Sequence, residues 1–492
     1  MQKRANLTTG PIGPALIAFT LPTLASSILQ SANGSIDTIW VGRLLGEDAV
    51  AATTNGNLVV FLLTAFVFGF GMASTILIGQ SMGRNDVVAA RRVVGTVIGT
   101  FLPVSTLLAI AGWFLSPALL GVLETPPTVV PLAQQFLQII FLALPAILII
   151  TMLMMALRGA GDAITPLIFM GVAVAICAAL NPFLILGLGP FPRLGIGGSA
   201  LSLTLANYIS LAAMLAYIYW RDLPLRLRGA ELAFLKPDVS ILRLMVVKGF
   251  PMGLQMIVIS GSLLAMMSLV NRQGVDTTAA FGATQQLWTY VQMPAMAIGA
   301  AVSAMAAQNI GAGKWDRVDA ITRHGILYNL VLTGVLIGLL LLADRAAMMV
   351  FLGGESDAVA IGQHITRLAS WGFLPFAVTM VLFATVRANG QVFWPLIILF
   401  ISMFPVRLGF AYGLQGMLGA DAIWWSFPAG MVVTMLLAIV LYRFGNWRNE
   451  RDMRVPGDDD TAEASALAAT ASAETAAAPA PTAATPARRR EE

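Results

Sequence analysis

Residues 21–42 read LPTLASSILQSANGSIDTIWVG. The stretch is mostly apolar, yet Thr23, Ser27, Gln30, Gly34 and Asp37 recur at intervals of three and four, the spacing that gathers side chains on one face of an α-helix. A polar or small stripe on an otherwise greasy helix is the pattern of a membrane span with one face turned away from lipid. Asp37 is the sole acid in the core of any span assigned below. A carboxylate at membrane depth is costly unless it is neutral, paired or facing water, which makes Asp37 a functional candidate by default. Arg43 follows within about 10 Å at 1.5 Å per residue, so an interfacial acid is the competing reading. Pro22 removes a backbone donor one turn in and offers a place for the helix to bend.

The rest of the chain has the same character. Of its 492 residues 58% are hydrophobic and 11% charged, with a mean hydropathy of +0.81; a soluble domain carries about 25% charged residues. Apolar runs of about 20 residues recur from end to end. The fold class is therefore an all-α polytopic membrane protein, and no cleavable signal is expected, because the first apolar run leads straight into a full span. A single cysteine, Cys177, excludes an internal disulfide and a cysteine-based metal cluster, and two distant histidines, His324 and His364, give no ligand set. No metal, no cofactor and no nucleic-acid partner are expected. A membrane-bound enzyme would need several reactive groups at one depth, and the spans offer one aspartate; the chain is read as no enzyme.

Twelve spans are expected, at roughly 14–40, 53–79, 93–115, 131–156, 165–188, 197–220, 244–270, 279–306, 321–343, 363–386, 394–416 and 422–443. Sorting every Lys and Arg by loop puts 23 of 29 on the side of the two termini. The positive-inside rule then places both termini in the cytoplasm. The chain also repeats itself. LRGAGDAITPLI at 157–168 matches VRANGQVFWPLI at 386–397, GQSMG at 79–83 matches AQNIG at 307–311, and Pro22 matches Pro251, at offsets of 229, 228 and 229. Each copy holds an even number of spans, so the two six-helix repeats are parallel, related by an axis along the membrane normal, with a central cleft between two lobes. The expected organisation is an N-lobe over 1–221, a cytoplasmic linker over 222–243, a C-lobe over 244–446 and a disordered Ala/Pro/Thr-rich tail over 447–492.

Several separated motifs give the chain a resemblance to the multidrug and toxic compound extrusion (MATE) family. DTIWVGRLLGEDAVAA at 37–52 resembles the family's end of helix one and following loop, ALRGAGD at 156–162 its signature after helix four, GPFPRLGIGGSAL at 189–201 its loop between helices five and six, and PAMAIGAAVSAMAAQNIGAGK at 294–314 its eighth helix and next loop. The resemblance implies a secondary transporter that exports organic, usually cationic or amphipathic, compounds in exchange for protons or sodium ions. Asp37 matches the helix-one acid of the family's N-lobe coupling site. In CAALNPFLILG at 177–187, Cys177 stands where the family has Asn and Asn181 where it has Asp; the family's Thr early in helix six falls at Leu203, with Thr204 beside it. The acids that some members carry on helices seven and ten are absent.

Sodium wants several hard oxygen ligands, whereas a proton needs one carboxyl group that can be loaded and emptied. The cation-coupling set is thus expected to be Asp37 as proton carrier, Asn181 as its fixed hydrogen-bond partner, and Cys177 and Thr204 beside them. Polar side chains expected along the substrate cleft are Gln30, Asn33, Asn57, Asn207, Tyr208, Gln255, Gln285, Gln286, Trp288 and Gln292; amides inside spans either line cavities or tie helices together. Arg158 and Arg387, at matching repeat positions, read as helix-end groups. Arg407 either pairs with an acid or snorkels to the outer surface. A flippase for a lipid or lipid-linked precursor is the nearest rival function, and a passive channel a further one. The protein is expected to act as a monomer.

Overall fold

The structure is a computed structural model that describes residues 7–122, 125–189, 191–352 and 356–449; from residue 450 on, the expected tail lies outside the described residues. The first half of the chain comprises α1 (Ile12–Leu45), α2 (Glu47–Gly83), α3 (Val87–Val122), α4 (Val130–Gly159), α5 (Ile164–Leu186) and α6 (Ile196–Trp220). The second comprises α7 (Val239–Asn271), α8 (Val275–Gly311), α9 (Trp315–Leu342), α10 (Asp357–Ala388), α11 (Phe393–Gly413) and α12 (Asp421–Phe444). Eleven of these are long and apolar enough to cross a membrane among the described residues, and α2 is a single helix of 37 residues whose Val67–Gly83 segment is apolar. Twelve helices in two parallel six-helix repeats is the fold the sequence pattern predicts.

Several details differ from expectation. The helices are longer than the spans: α8 has 37 residues, whereas about 20 cross a hydrocarbon core. Helix α1 runs unbroken through Pro22. A short helix, Asp344–Leu352, fills part of the segment expected as loop. Helix α11 is interrupted by a π-turn over Ser402–Val406, which contains Pro405.

The link between the halves is held against α3. Its 3₁₀ segment Gly229–Leu235 lies across Gly95 and Gly99, where an added Cβ would strike the backbone at Phe234 and Leu235. Arg91 donates to Pro224 O and pairs with Glu231, while Arg92 donates to Asp238 Oδ2 at 2.7 Å. Asp238 also caps α7, its Oδ1 accepting from the backbone N–H of Ser240 and Ile241. Asp238→Ala should therefore destabilise the protein by about 1 kcal/mol through the lost cap, since the half-exposed ion pair adds little. A lower midpoint in a detergent thermal melt, mostly restored in Asp238→Asn, is the expected result.

The two halves meet at the end of the bundle where α1 begins and where α2, α4, α8 and α10 finish. Gly69 of α2 packs against the backbone of Gly249 and Gly253 of α7, and Gly79 against Ala307 of α8. Further out, two hydrogen bonds repeat each other across the pseudo-twofold: Gln80 Nε2 donates to Ala388 O at 2.8 Å, and Gln308 Nε2 donates to Gly159 O at 2.9 Å. Gly83 backs onto Gln308, and Gly311 onto Gln80. The segment before α1 closes the same end: Asn309 and Lys314 donate to Leu7 O and Thr8 O, and Arg317 to Gly10 O.

Candidate functional site

The candidate site lies in the first half, toward the opposite end of the bundle. Asp37 sits eight residues before the last residue of α1, about 12 Å along the helix axis. It is half-buried, facing α5 and α6. The α5 register, ending at Gly187 with φ +72°, a conformation that suits glycine, brings Asn181 opposite it. Helix α6 begins after Gly195 and presents Ser199 and Ser202, three residues apart and so on one face.

Those four residues form one chain of hydrogen bonds. Asn181 Nδ2 donates to Asp37 Oδ1 at 3.0 Å, and Ser199 Oγ donates to the same oxygen at 2.6 Å. Ser202 Oγ donates to Asn181 Oδ1 at 2.7 Å and to Ser199 O at 2.8 Å. Asn181, Ser199 and Ser202 are fully buried. Buried polar groups persist only when their partners are in place, and each of these has one. The network presents N–H and O–H donors to the carboxylate. Among the described residues no group of three or more His, Cys, Asp or Glu side chains is placed to hold a metal ion.

The expected site residues divide accordingly. Asp37 and Asn181 are in direct contact. Cys177 reaches the network only at its far end, with Sγ 3.9 Å from Ser202 Oγ. Thr204 is turned away: its hydroxyl donates to Ala200 O, one turn back on α6, because residue 204 lies about 200° around the helix from residue 202. Ser199 and Ser202 are the partners that sequence reasoning missed. Their signal was present, as two hydroxyls at i and i+3 on the helix that follows Asn181.

The residues expected along the cleft also separate. Gln30, Asn57 and Gln286 are exposed, and Asn33, Gln285 and Gln292 partly so; Asn33 Oδ1 is buried without a partner. Four others are committed elsewhere. Gln255 is buried, donating to Val392 O and accepting from Arg387 within the second half. Trp288 is core, its Nε1 donating to Ser370 Oγ and its ring packed against Phe281, Phe373 and Phe427. Asn207, half-buried, donates to Leu203 O on its own helix and makes no bond to another helix among the described residues. Tyr208 donates to Leu142 O and lines an apolar groove made by α3, α4 and α6 of the first half alone. Amides and rings at helix–helix contacts satisfy themselves locally when a carbonyl is in reach. Arg407 neither pairs with an acid among the described residues nor snorkels: it is 6% exposed and stacked on Phe427.

The MatE family model matches the chain twice, over residues 22–183 and 251–413, so the family's unit recurs at the spacing of the internal repeat. The probable multidrug resistance protein YoeA of Bacillus subtilis is 34% identical over 439 residues, covering 89% of this chain and 94% of that protein. The probable multidrug resistance protein YpnP of the same organism is 31% identical over 448 residues, covering 91% and 98%. A crystal structure of MATE in the bent conformation superposes with a TM-score of 0.82 at 19% identity, over 90% of this chain and 97% of that one, which is a likeness of fold. Two matched repeats, twelve helices and full-length relatives agree: the chain belongs to the multidrug and toxic compound extrusion (MATE) family.

Proposed function

We propose that this protein is a secondary active efflux transporter that exports organic, cationic or amphipathic compounds in exchange for protons, with Asp37 as the proton carrier. Relatives named as multidrug resistance proteins support the export reading. The observation that carries the coupling reading is the buried network around Asp37. Both contacts to Oδ1 are donors, as an ionised carboxylate requires. Asn181 has its carbonyl oxygen turned to Ser202 and its NH₂ group turned to Asp37. A sodium ion at this place would meet one carboxylate and few further oxygen ligands, fewer than it wants; a proton needs only the carboxylate, whose hydrogen bonds among the described residues both go to Oδ1.

In this reading, protonation neutralises Asp37 and weakens the charge-assisted bonds from Asn181 and Ser199. That ties the position of α1 to α5 and α6 by an amount that depends on the bound proton, and a ligand shifts a conformational equilibrium only through such a difference. The termini and the basic end of the bundle face the cytoplasm, the membrane is the bacterial inner membrane, and the unit is a monomer.

The test is uptake of rhodamine 6G into everted membrane vesicles that are acidic inside. Uptake is expected to follow the pH gradient and to stop when a protonophore collapses it. An inward-loaded sodium gradient should not restore it. Uptake that ignores the protonophore and follows sodium would reject proton coupling.

A further inference from the structure

The second half carries a buried charge that the coupling network does not use. Arg407 begins the part of α11 that follows the π-turn, and its side chain is turned inward against α12. The guanidinium carbon lies 3.6 Å from the centre of the Phe427 ring. One of its terminal nitrogens donates to Met403 Sδ at 3.6 Å, a weak acceptor. Nε is buried and has no hydrogen-bond partner among the described residues. The hydroxyl of Ser402, fully buried at the start of the π-turn, is also without a partner. Gly430 admits the Arg407 stem and Ser402 O at close range. Around this point lie the rings of Phe281, Trp288 and Trp424, with Phe427 tilted against the first two and Phe281 stacked on Trp424.

The position of Arg407 in the repeat is informative. The first residues of the two family-model matches differ by 251 − 22 = 229, and the last by 413 − 183 = 230. A π-turn adds one residue to a helix, and the Ser402–Val406 turn lies inside the second match. At offsets of 229 to 230, Arg407 falls opposite Ala178 or Cys177 of α5, beside the chain that runs through Ser202 and Asn181 to Asp37. The first lobe therefore holds an acid among donors, and the second lobe holds, on the helix that corresponds to α5, a cation without an anion among the described residues.

We infer that Arg407, with Phe427 beside it, is an oxyanion-binding site of the C-lobe, which takes the carboxylate or phosphate of an amphipathic compound. A buried charge without a counter-charge is costly, and a bound oxyanion would supply the missing one. Guanidinium groups suit planar bidentate contacts to carboxylate and phosphate, and the aromatic cluster suits an apolar body attached to that group. The π-turn loosens the helix at this point, as such turns do at functional sites. The inference extends the cargo class of the transport reading, on which only the passage of the bound compound rests.

The test is equilibrium binding with no gradient, so it stands apart from the transport assay. Purified wild type, Arg407→Met and Arg407→Gln in phosphatidylcholine nanodiscs are titrated with tritiated 1-naphthoate and with 1-naphthylmethylammonium, which share a ring and differ in charge sign. Empty nanodiscs give the background. Wild type should bind 1-naphthoate saturably, and both variants about tenfold or more weakly, while the ammonium compound changes by no more than about twofold. Arg407→Met replaces an unpaired buried charge by an apolar stem of similar length, so it should melt at or above the wild-type temperature. Adding phosphatidylglycerol separates the sources: competition seen in wild type and lost in Arg407→Met assigns the oxyanion to a lipid phosphate, and no competition assigns it to cargo. Wild type without saturable 1-naphthoate binding, variants that bind it as wild type does, or variants that melt earlier and lose both ligands equally would overturn the inference.

Discussion

Uptake driven by a pH gradient should fall to background in Asp37→Asn, with the folded protein still present in normal amount. Asparagine has the shape of aspartate and keeps an oxygen to accept from Ser199 and Asn181, which now reach Oδ1 at 2.6 and 3.0 Å. The loss of charge weakens those bonds by about 1 kcal/mol each, too little to unfold α1, α5 and α6. What disappears altogether is the ability to take up and release a proton in the membrane. The expected signature is a split: proton-driven accumulation is lost, while gradient-free exchange of labelled for unlabelled compound across the same vesicles continues. Asp37→Glu retains a carboxyl but shifts it by one methylene, so a reduced accumulation that remains proton-driven is expected. If Asp37→Asn accumulates compound as well as wild type, Asp37 is not the carrier; if it loses exchange as well, Asp37 serves binding or folding instead. Ser199→Ala removes the shorter of the two bonds and leaves the titratable group in place, so it should slow uptake and spare coupling.

How much of this was legible in the sequence depends on which physical constraint wrote the residue. Span number and repeat were legible because apolar length and turn chemistry are local demands. The paired motifs at 157–168 and 386–397 both end a helix with a glycine at positive φ, Gly161 at +91° and Gly390 at +89°, which few other residues adopt. In the first copy Asp162 then caps α5 through the N–H groups of Ile164 and Thr165. Asp37 stood out because an acid in a greasy helix is costly unless it is neutral, paired or facing water. The amide-rich cleft was less so. Gln255 and Trp288 carry the same polar atoms whether they face a cavity or a neighbouring polar group, and only the packing of α7 on α10 and α11, or of α8 on α10, decides; Asn207 turns instead to Leu203 O of its own helix. Thr204 against Ser199 and Ser202 turns on helix phase, set by where α6 begins after Gly195. The short helix Asp344–Leu352 is too short for an apolar-run criterion, yet it is held by Asp344, which accepts from Gln363 at 2.6 Å and Arg367 at 2.9 Å. Arg407 was noticed as a charge, but its stack on Phe427 required α12 to be placed.

The closed end of the bundle gives the other large effect. Gly83→Ala should open it, because the added Cβ would meet the backbone carbonyl of Gln308, and Gly311→Ala should do the same against Gln80 on the other side of the pseudo-twofold. A clash with a flexible side chain is relieved by a rotamer change; a clash with helix backbone is relieved only by moving the helix. Overpacking of that kind costs about 1–3 kcal/mol, which shifts an equilibrium between closed and open arrangements by about 5- to 150-fold. The hydrogen bonds at the same place are the graded control. Gln80→Leu or Gln308→Leu removes one bond, to Ala388 O or Gly159 O, at about 1 kcal/mol. Each should act in the same direction as the glycine variants and less strongly. Spin labels at positions 85 and 312, just past the ends of α2 and α8, report the separation. Gly83→Ala and Gly311→Ala should each enlarge the long-distance population, Gln80→Leu should enlarge it less, and the two members of each symmetric pair should match. Proton-driven uptake should fall in parallel, since a cycle that must shut this end is slowed when shutting is uphill. A distance distribution unchanged in Gly83→Ala would show that the contact between α2 and α8 yields without parting the halves. A large change confined to one member of a pair would show that the two repeats do not share the load at this end.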